Sequence, residues 1–298
     1  YRLLSEFMLQ QTQVKTVIPY FKKFTNEIKT LKKLSTTSER KVLKLWEGLG
    51  YYRRAKNLLK TAKIIVKQKN SKLPDNIFDL KKLPGIGVYT ANILLALVYN
   101  QPRLGIDGNV KRIFSRIFNK HEKNLNFEKI IEKNRKNLFF FERNSDFAEE
   151  IMELGALVCK PAEPDCENCP INKICKFYKY GENKKLKNKT KKNNRSYNIF
   201  CYLNKRKQIG LTKKNNLGFL KEYNSPIVKE KSAKHNLREW NFLCNYKNSI
   251  SNKKLNINLY YKFSNKIPSS FIWHSMDKNK EFIPTFTKKI FRQVSTLF

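Results

Sequence analysis

Four cysteines crowd into one stretch of this 298-residue chain. The spacing is C-x6-C-x2-C-x5-C, through Cys159, Cys166, Cys169 and Cys175. Four thiolates on one tight loop can wrap a single tetrahedral metal ion or an iron–sulfur cubane. Zinc ribbons usually present two C-x2-C pairs on separate arms, and only one such pair occurs here. The ferredoxin spacing differs too. Cys201 and Cys244 stand apart and read as ordinary unpaired thiols. So few and so clustered a set does not make a secreted disulfide scaffold, and it fits a reducing intracellular compartment.

Two carboxylates lie in segments that could also do chemistry. Residues 83–91 read LPGIGVYTA, where Gly85 and Gly87 allow a turn with little steric cost. The exposed N–H groups of such a turn, beside a helix N-terminus, can receive a phosphate. Asp107 follows 20 residues after Gly87, in GIDGNVKRIF. It reads equally as a helix N-cap, and the two roles are compatible because a carboxylate at a helix start tends to stay ionised. Near the start of the chain, SEFMLQQTQ sets Glu6, Gln10 and Gln13 in a polar stripe, for which a plain solvated face is the alternative reading.

The elements that must hold these residues are helical over the first half. Leu3, Leu4, Phe7 and Met8 recur at helical spacing, as do Leu43, Trp46 and Leu49. Prolines at 19, 74 and 84 punctuate the pattern, and Ser38 and Asp75 are expected N-caps. From 103 to 157 the texture stays helical and ends in FAEEIMELGALVC, which leads into the cysteine loop. Residues 181–195 are nearly all charged or polar and read as a linker. Beyond it, SYNIFCYL (196–203) and LNINLYYKF (255–263) read as strands, with helices expected over 233–243 and 284–294. A mainly α region, 1–180, is thus followed by a smaller α+β domain, 196–298.

Lys and Arg number 62 against 24 Asp and Glu, a formal net charge of +38. A field of that sign attracts polyanions, nucleic acid first, although Lys- and Asn-rich coding bias also raises the count. Lys160, Lys173 and Lys176 share the cysteine loop, which favours DNA docking over redox catalysis there. No stretch has the 18 or more apolar residues of a membrane span, and no membrane partner is expected.

Three segments carry a family resemblance. SEFMLQQTQVKTVIPYF at 5–21, LWEGLGYYRRAKNL at 45–58 and the uneven 6-2-5 cysteine loop resemble the MutY family of helix-hairpin-helix, endonuclease III-like DNA glycosylases, over residues 1–180. The resemblance implies a helix-hairpin-helix at about 77–98 and a 4Fe-4S cluster on Cys159, Cys166, Cys169 and Cys175. It implies removal of adenine mispaired with 8-oxoguanine or G in double-stranded DNA, in base excision repair. Glu6 would be the general acid for adenine, and Asp107 would stabilise the oxocarbenium-like sugar. Leu9, Gln11, Tyr89 and Glu149 would surround the flipped adenine or its gap, and Tyr51 would wedge beside the damaged guanine. Gly85, Gly87, Asn109, Lys111 and Arg112 would meet the DNA backbone. Tyr89 stands where bifunctional relatives carry a Schiff-base Lys, and a phenol cannot form that imine, so a monofunctional hydrolase is expected.

The same resemblance makes the second domain Nudix-like and its task lesion recognition. The short LGFL segment (217–220) fits, but the metal signature is missing, since Arg238 and Glu239 are followed by Trp240 and Asn241. A metal-dependent pyrophosphatase is therefore not expected. The family's Phe-Ser-His loop corresponds to Ile250, Ser251 and Asn252, which leaves Ser251 to read the oxidised guanine. The family has a helix upstream of Tyr1, so a missing true start is expected. A monomer, cytoplasmic and nucleoid-associated in a bacterium, completes the reading. A catalytically weak lesion-binding homologue and an endonuclease III-like lyase are its rivals.

Overall fold

The computed structural model describes residues 1–68, 70–139, 142–180, 194–213, 223–231, 237–250, 253–276 and 283–298. Contacts divide the chain into two compact units, 1–37 with 53–189 and 38–52 with 190–298. The division is not a single cut at the linker: a short early segment groups with the later residues. LGFL, most of the basic linker, and Ser251 and Asn252 lie outside the described residues.

The first unit is built from α1 (Arg2–Leu9), α2 (Val14–Glu27), α3 (Leu31–Thr36), α5 (Arg53–Gln68), α6 (Ile77–Lys82), α7 (Val88–Tyr99) and α8 (Gly108–Phe118). It continues through α9 (Phe127–Lys133), α10 (Arg135–Leu138), α11 (Asn144–Glu153) and α12 (Lys176–Tyr180), while α4 (Glu39–Leu45) belongs to the second unit. Short polar caps start several of these helices. Ser38 accepts the amide of Lys41, as the sequence predicts, but the cap of α6 is Asn76 rather than Asp75. The amide oxygen of Asn76 takes the Asp79 N–H at 2.9 Å. Pro19 also departs from expectation: it lies inside α2 instead of ending it. The ring removes one N–H to the carbonyl four residues back, and that carbonyl belongs to the exposed Lys15, where water can replace the bond.

Phe7 and Met8 on α1, Ala55 and Leu58 on α5, and Leu94 and Leu95 on α7 are fully buried, so α1 is fixed against two long helices. Each such aliphatic or aromatic side chain contributes about 1.5–3 kcal/mol on leaving water. Val110, Ile113 and Phe114 of α8 pack with Ala148 and Ile151 of α11 in a neighbouring cluster. After α11 the chain loosens into a π-helical turn, Leu154–Val158, which delivers Cys159. Such turns often mark functional positions.

The second unit holds a mixed sheet of β1 (Asn194–Asn204), β2 (Gln208–Leu211), β3 (Ile227–Glu230), β4 (Asn241–Ile250), β5 (Lys253–Phe263) and β6 (Ile272–Ser275). The order is β4-β5-β1-β2-β6 with β3 also on β1, and the β1–β5 pair is parallel. Ile199, Cys201 and Leu203 alternate onto one face with Leu255, Ile257 and Leu259, and α13 (Thr285–Val294) covers them with Phe286, Ile290 and Val294. The helix expected over 284–294 is therefore present. The helix expected over 233–243 is corrected in part: residues 232–236 are outside the described set, and Asn241 opens β4. Pairing with β5 outweighs local helical periodicity there.

Candidate active site

The carboxylate of Glu6 is carried into the protein by α1, whose apolar neighbours Phe7 and Met8 anchor the helix. Glu6 is only 5% exposed. Burial pushes its carboxyl up to about 7, with the nearby Arg2 guanidinium acting weakly in the other direction. At neutral pH a large fraction of Glu6 thus carries a proton, which an exposed glutamate would not. Arg2 also pairs with Glu149 on α11, so Glu149 is tied to the same helix as Glu6.

The second carboxylate does start a helix. Asp107 is the N-cap of α8, and its Oδ1 accepts the Val110 N–H at 2.8 Å. Tyr89, in the first turn of α7, is close enough to both carboxylates for each to act on its hydroxyl. Burial first, then Glu6 and Asp107, raise the pKa of that phenol, so Tyr89 remains a neutral hydrogen-bond donor. Three elements therefore bring Glu6, Tyr89 and Asp107 into one electrostatic neighbourhood.

A hairpin of α6, the turn Leu83–Gly87 and α7 frames this site. Gly85 has φ +83°, and a β-carbon there would approach Phe7 Cε1 to 2.8 Å and Asn57 Cβ to 2.9 Å. Only glycine satisfies both the backbone and the space. Gly87 caps α7 without a side-chain partner, which leaves the first amides of that helix unbonded by any cap. Gln10 joins the end of α1 to this hairpin, donating to the Gly85 carbonyl at 3.1 Å and the Thr90 hydroxyl at 3.3 Å.

Leu9 is half-buried at the end of α1, and Gln11 is exposed with φ +57°. Behind them Arg54 is 7% exposed and donates to the carbonyls of Phe7 and Met8, at 3.1 and 2.6 Å, to that of Gln10, and to Thr12 Oγ1 at 3.0 Å. Arg54 was not singled out from the sequence. Its signal was there, as a cation in the apolar row of α5 formed by Ala55, Leu58, Ala62 and Ile65.

Of the expected backbone-contact residues, Arg112 spends its donors within the protein. Its Nε reaches the Cys159 carbonyl at 2.8 Å, and one terminal nitrogen reaches Asn109 Oδ1 at 2.8 Å and the Gly155 carbonyl at 2.7 Å. Asn109 is its partner, and Lys111 lies over the Phe127 ring at 6.0 Å. Tyr51 belongs to the second unit, 40% exposed, with φ +49° directly after Gly50 at +76°. Ser251 lies outside the described residues.

The four clustered cysteines line one apolar pocket together with Ile113, Arg116 and Phe177. Arg116 is 6% exposed; it meets Cys159 Sγ at 3.1 Å and the carbonyls of Lys160 and Pro161 at 2.7 and 2.9 Å, and its guanidinium stacks over Phe177. Among the described residues, no three His, Cys, Asp or Glu side chains gather as ligands of one metal ion. No described helix is long and apolar enough to cross a membrane.

The description of the HhH-GPD superfamily base excision DNA repair protein matches residues 4–139. An adenine DNA glycosylase of Buchnera aphidicola subsp. Baizongia pistaciae (strain Bp) is 32% identical over 312 residues, spanning 98% of this chain and 88% of the relative. Another, from Buchnera aphidicola subsp. Acyrthosiphon pisum (strain APS), is 42% identical over 176 residues, and that match spans 58% of this chain and 50% of the relative. The solved structure of a thermostable thymine-DNA glycosylase superposes with a TM-score of 0.54 at 26% identity, covering 60% of this chain and 83% of its own. With a hairpin, a buried glutamate and an N-cap aspartate held in that endonuclease III-like fold, the chain belongs to the MutY family of adenine DNA glycosylases, a branch of the HhH-GPD superfamily of base excision repair proteins.

Proposed function

We propose that this chain hydrolyses the N-glycosidic bond of adenine opposite 8-oxoguanine or G in duplex DNA, without cutting the strand. The observation that carries the reading is the grouping of Glu6, Tyr89 and Asp107 beside the hairpin. Neither carboxylate can reach a stacked base, so the nucleotide must first turn out of the helix. Protonated Glu6 gives its proton to N7 of adenine. The C1′–N9 bond then breaks with its electron pair going to the base, and the cationic sugar is stabilised by Asp107. Water adds at C1′, and its proton returns to the Glu6 carboxylate. Tyr89 donates a hydrogen bond in the site and has no amine to capture the sugar.

The helix start after Gly87, free of a side-chain cap, supports phosphate contact there. Arg112 and Asn109 act instead by fixing α8 to the segment that precedes the cysteines. Cys159, Cys166, Cys169 and Cys175 suit a 4Fe-4S cluster: all four line one pocket, and a cubane takes its four thiolates on separate irons. When bound, the cluster supplies a rigid, covalently tied loop for docking on DNA. A mixed sheet packed on α13 supports a Nudix-like lesion-recognition role for the second unit.

The deciding measurement is single-turnover excision from a duplex carrying A opposite 8-oxoguanine. Glu6→Gln keeps the shape and removes the proton, so excision falls by about 10²–10⁴-fold while duplex binding persists. An unchanged rate moves the general acid elsewhere. Borohydride traps no covalent adduct in the parent chain; efficient trapping would reinstate the lyase reading.

A further inference from the structure

The second unit uses one sheet face for its core, and the other face carries an unusual set of side chains. On β5, Leu255, Ile257 and Leu259 point into the core, so Lys254, Asn256, Asn258, Tyr260 and Lys262 point away. The register sets Phe242 of β4 opposite Tyr260, and Tyr260 opposite Phe200 of β1. These three rings form a row across three strands, with centroids 5.5 and 5.3 Å apart and the Phe200–Tyr260 pair nearly parallel at 20°. Trp240 closes the far side of the row, 5.0 Å from Phe200.

A β-bulge creates this arrangement. The pairing shifts between Phe242 and Cys244, so Cys244 opposite Leu259 shares the core face while Phe242, two residues earlier, joins Tyr260 on the outside. Without the extra residue the period of two would turn both side chains the same way. The result is a phenyl ring on an edge strand, 55% exposed. Beyond the rings, in the next rows along the same face, come exposed Asn245, Lys247, Lys254 and Asn256. Lys262 flanks Tyr260 and pairs with Glu239 at 2.8 Å.

We propose that this outer face is a second nucleic-acid site, a stacking platform for single-stranded DNA separate from the Glu6–Asp107 site. The exposed Phe242 ring, backed by half-buried Tyr260 and Trp240 and set beside ammonium groups and amides, matches what an unpaired strand offers: π-faces for stacking, phosphates for the lysines and base edges for the asparagines. A duplex hides its base faces and gains nothing from the rings. The surface carries positive charge where the bound polymer is negative, so the same patch is unsuited to a basic or purely apolar partner.

The test is binding of a short labelled oligothymidine and of a duplex of equal length to the full chain, read by fluorescence anisotropy. Phe242→Ala, at an exposed position, weakens oligothymidine binding about tenfold and leaves duplex binding and duplex adenine excision unchanged. Phe242→Trp restores single-strand binding. The proposal is overturned if Phe242→Ala binds oligothymidine like the parent, or if single-strand and duplex affinities fall together. It is also overturned if Phe242→Leu binds as well as the parent, because apolar contact alone would then suffice.

Discussion

Tyr89 and Gly105 pack so closely that a β-carbon on Gly105 would lie 2.7 Å from Tyr89 Cε2. The same carbon would lie 2.3 Å from Ile93 Cγ1. Gly105 thus sets how deep the Tyr89 ring rests, and with it how near its hydroxyl comes to the charges of Glu6 and Asp107. The constraint comes from the backbone segment that delivers Asp107, so the phenol and the aspartate are positioned together.

Gly105→Ala tests this directly. An added methyl in a filled site costs about 1–3 kcal/mol through displaced neighbours. The chemical denaturation midpoint should fall accordingly, and single-turnover excision should drop by more than duplex affinity does. If stability and rate both match the parent, the ring has room to retreat and Gly105 does not position it.

Burial of Glu6 has a consequence for pH. Its folded pKa of about 7 lies above the ordinary 4.5, so the folded state holds this proton more tightly than the unfolded chain. The associated stability is fully present below about pH 4.5 and is lost as pH rises through about 7. The span corresponds to roughly 3 kcal/mol. Glu6→Gln, which has no charge to bury, should therefore gain stability relative to the parent between pH 5 and 8. Excision by the parent should be level on the acid side and fall as pH rises past about 7, because the acid is then spent. Melting curves and single-turnover rates across this range check both halves; parallel stability profiles for parent and Glu6→Gln would mean that burial does not raise this carboxyl.

The chemistry-bearing residues were the legible part of the sequence. Spacing marked the glycine turn and Asp107, while Glu6 came only with the resemblance of its segment; in the structure Glu6 is buried and Asp107 caps α8. What spacing could not convey was long-range hydrogen bonding. Arg112, expected at the DNA backbone, also donates to carbonyls 43 and 47 positions away, which no local pattern could convey. Arg54 and Arg116 differ in that each shows as a cation on the apolar side of its helix, but the distant carbonyls they bind do not show in the sequence. The helix expected over 233–243 failed at Asn241 because strand pairing with Tyr261 is also non-local. Grouping of residues 38–52 with the second unit had no sequence signal at all.

Arg116 offers a test of how the cysteine segment is held. Its planar fork reaches two carbonyls and a sulfur at once, and a lysine ammonium cannot copy that geometry. Arg116→Lys keeps the charge but should lower stability by about 1–3 kcal/mol, since buried carbonyls lose their donors. Amide exchange should quicken between residues 159 and 175 with little change in α5. Uniform loss of protection across the first unit would instead make Arg116 a general core residue.

Tyr51 sits on a loop that α13 supports. Its segment is held within the second unit by Lys288 of α13, which pairs with Glu47, and by Tyr52, whose hydroxyl lies 3.4 Å from Thr285 Oγ1 and whose ring lies 5.5 Å from Tyr223. Glu47 and Tyr52 flank Gly50 and Tyr51, both in left-handed backbone conformations that a loosened loop would relax. If Tyr51 wedges beside the damaged base, α13 sets its aim. The ion pair is partly exposed, with side chains 32% and 25% accessible, so breaking it costs stability of only about 0.2–1 kcal/mol. Lys288→Glu should therefore leave the fold intact yet reduce the preference for A opposite 8-oxoguanine over A opposite G by a few-fold. Combining it with Glu47→Lys restores an opposite-charge pair and should recover most of that preference, as expected for two directly interacting groups. Excision rates on the two duplexes, for the parent, both single variants and the double variant, give the coupling. If Lys288→Glu leaves the ratio of those rates at the parental value, α13 does not aim Tyr51, and lesion preference must be set by other contacts of the second unit.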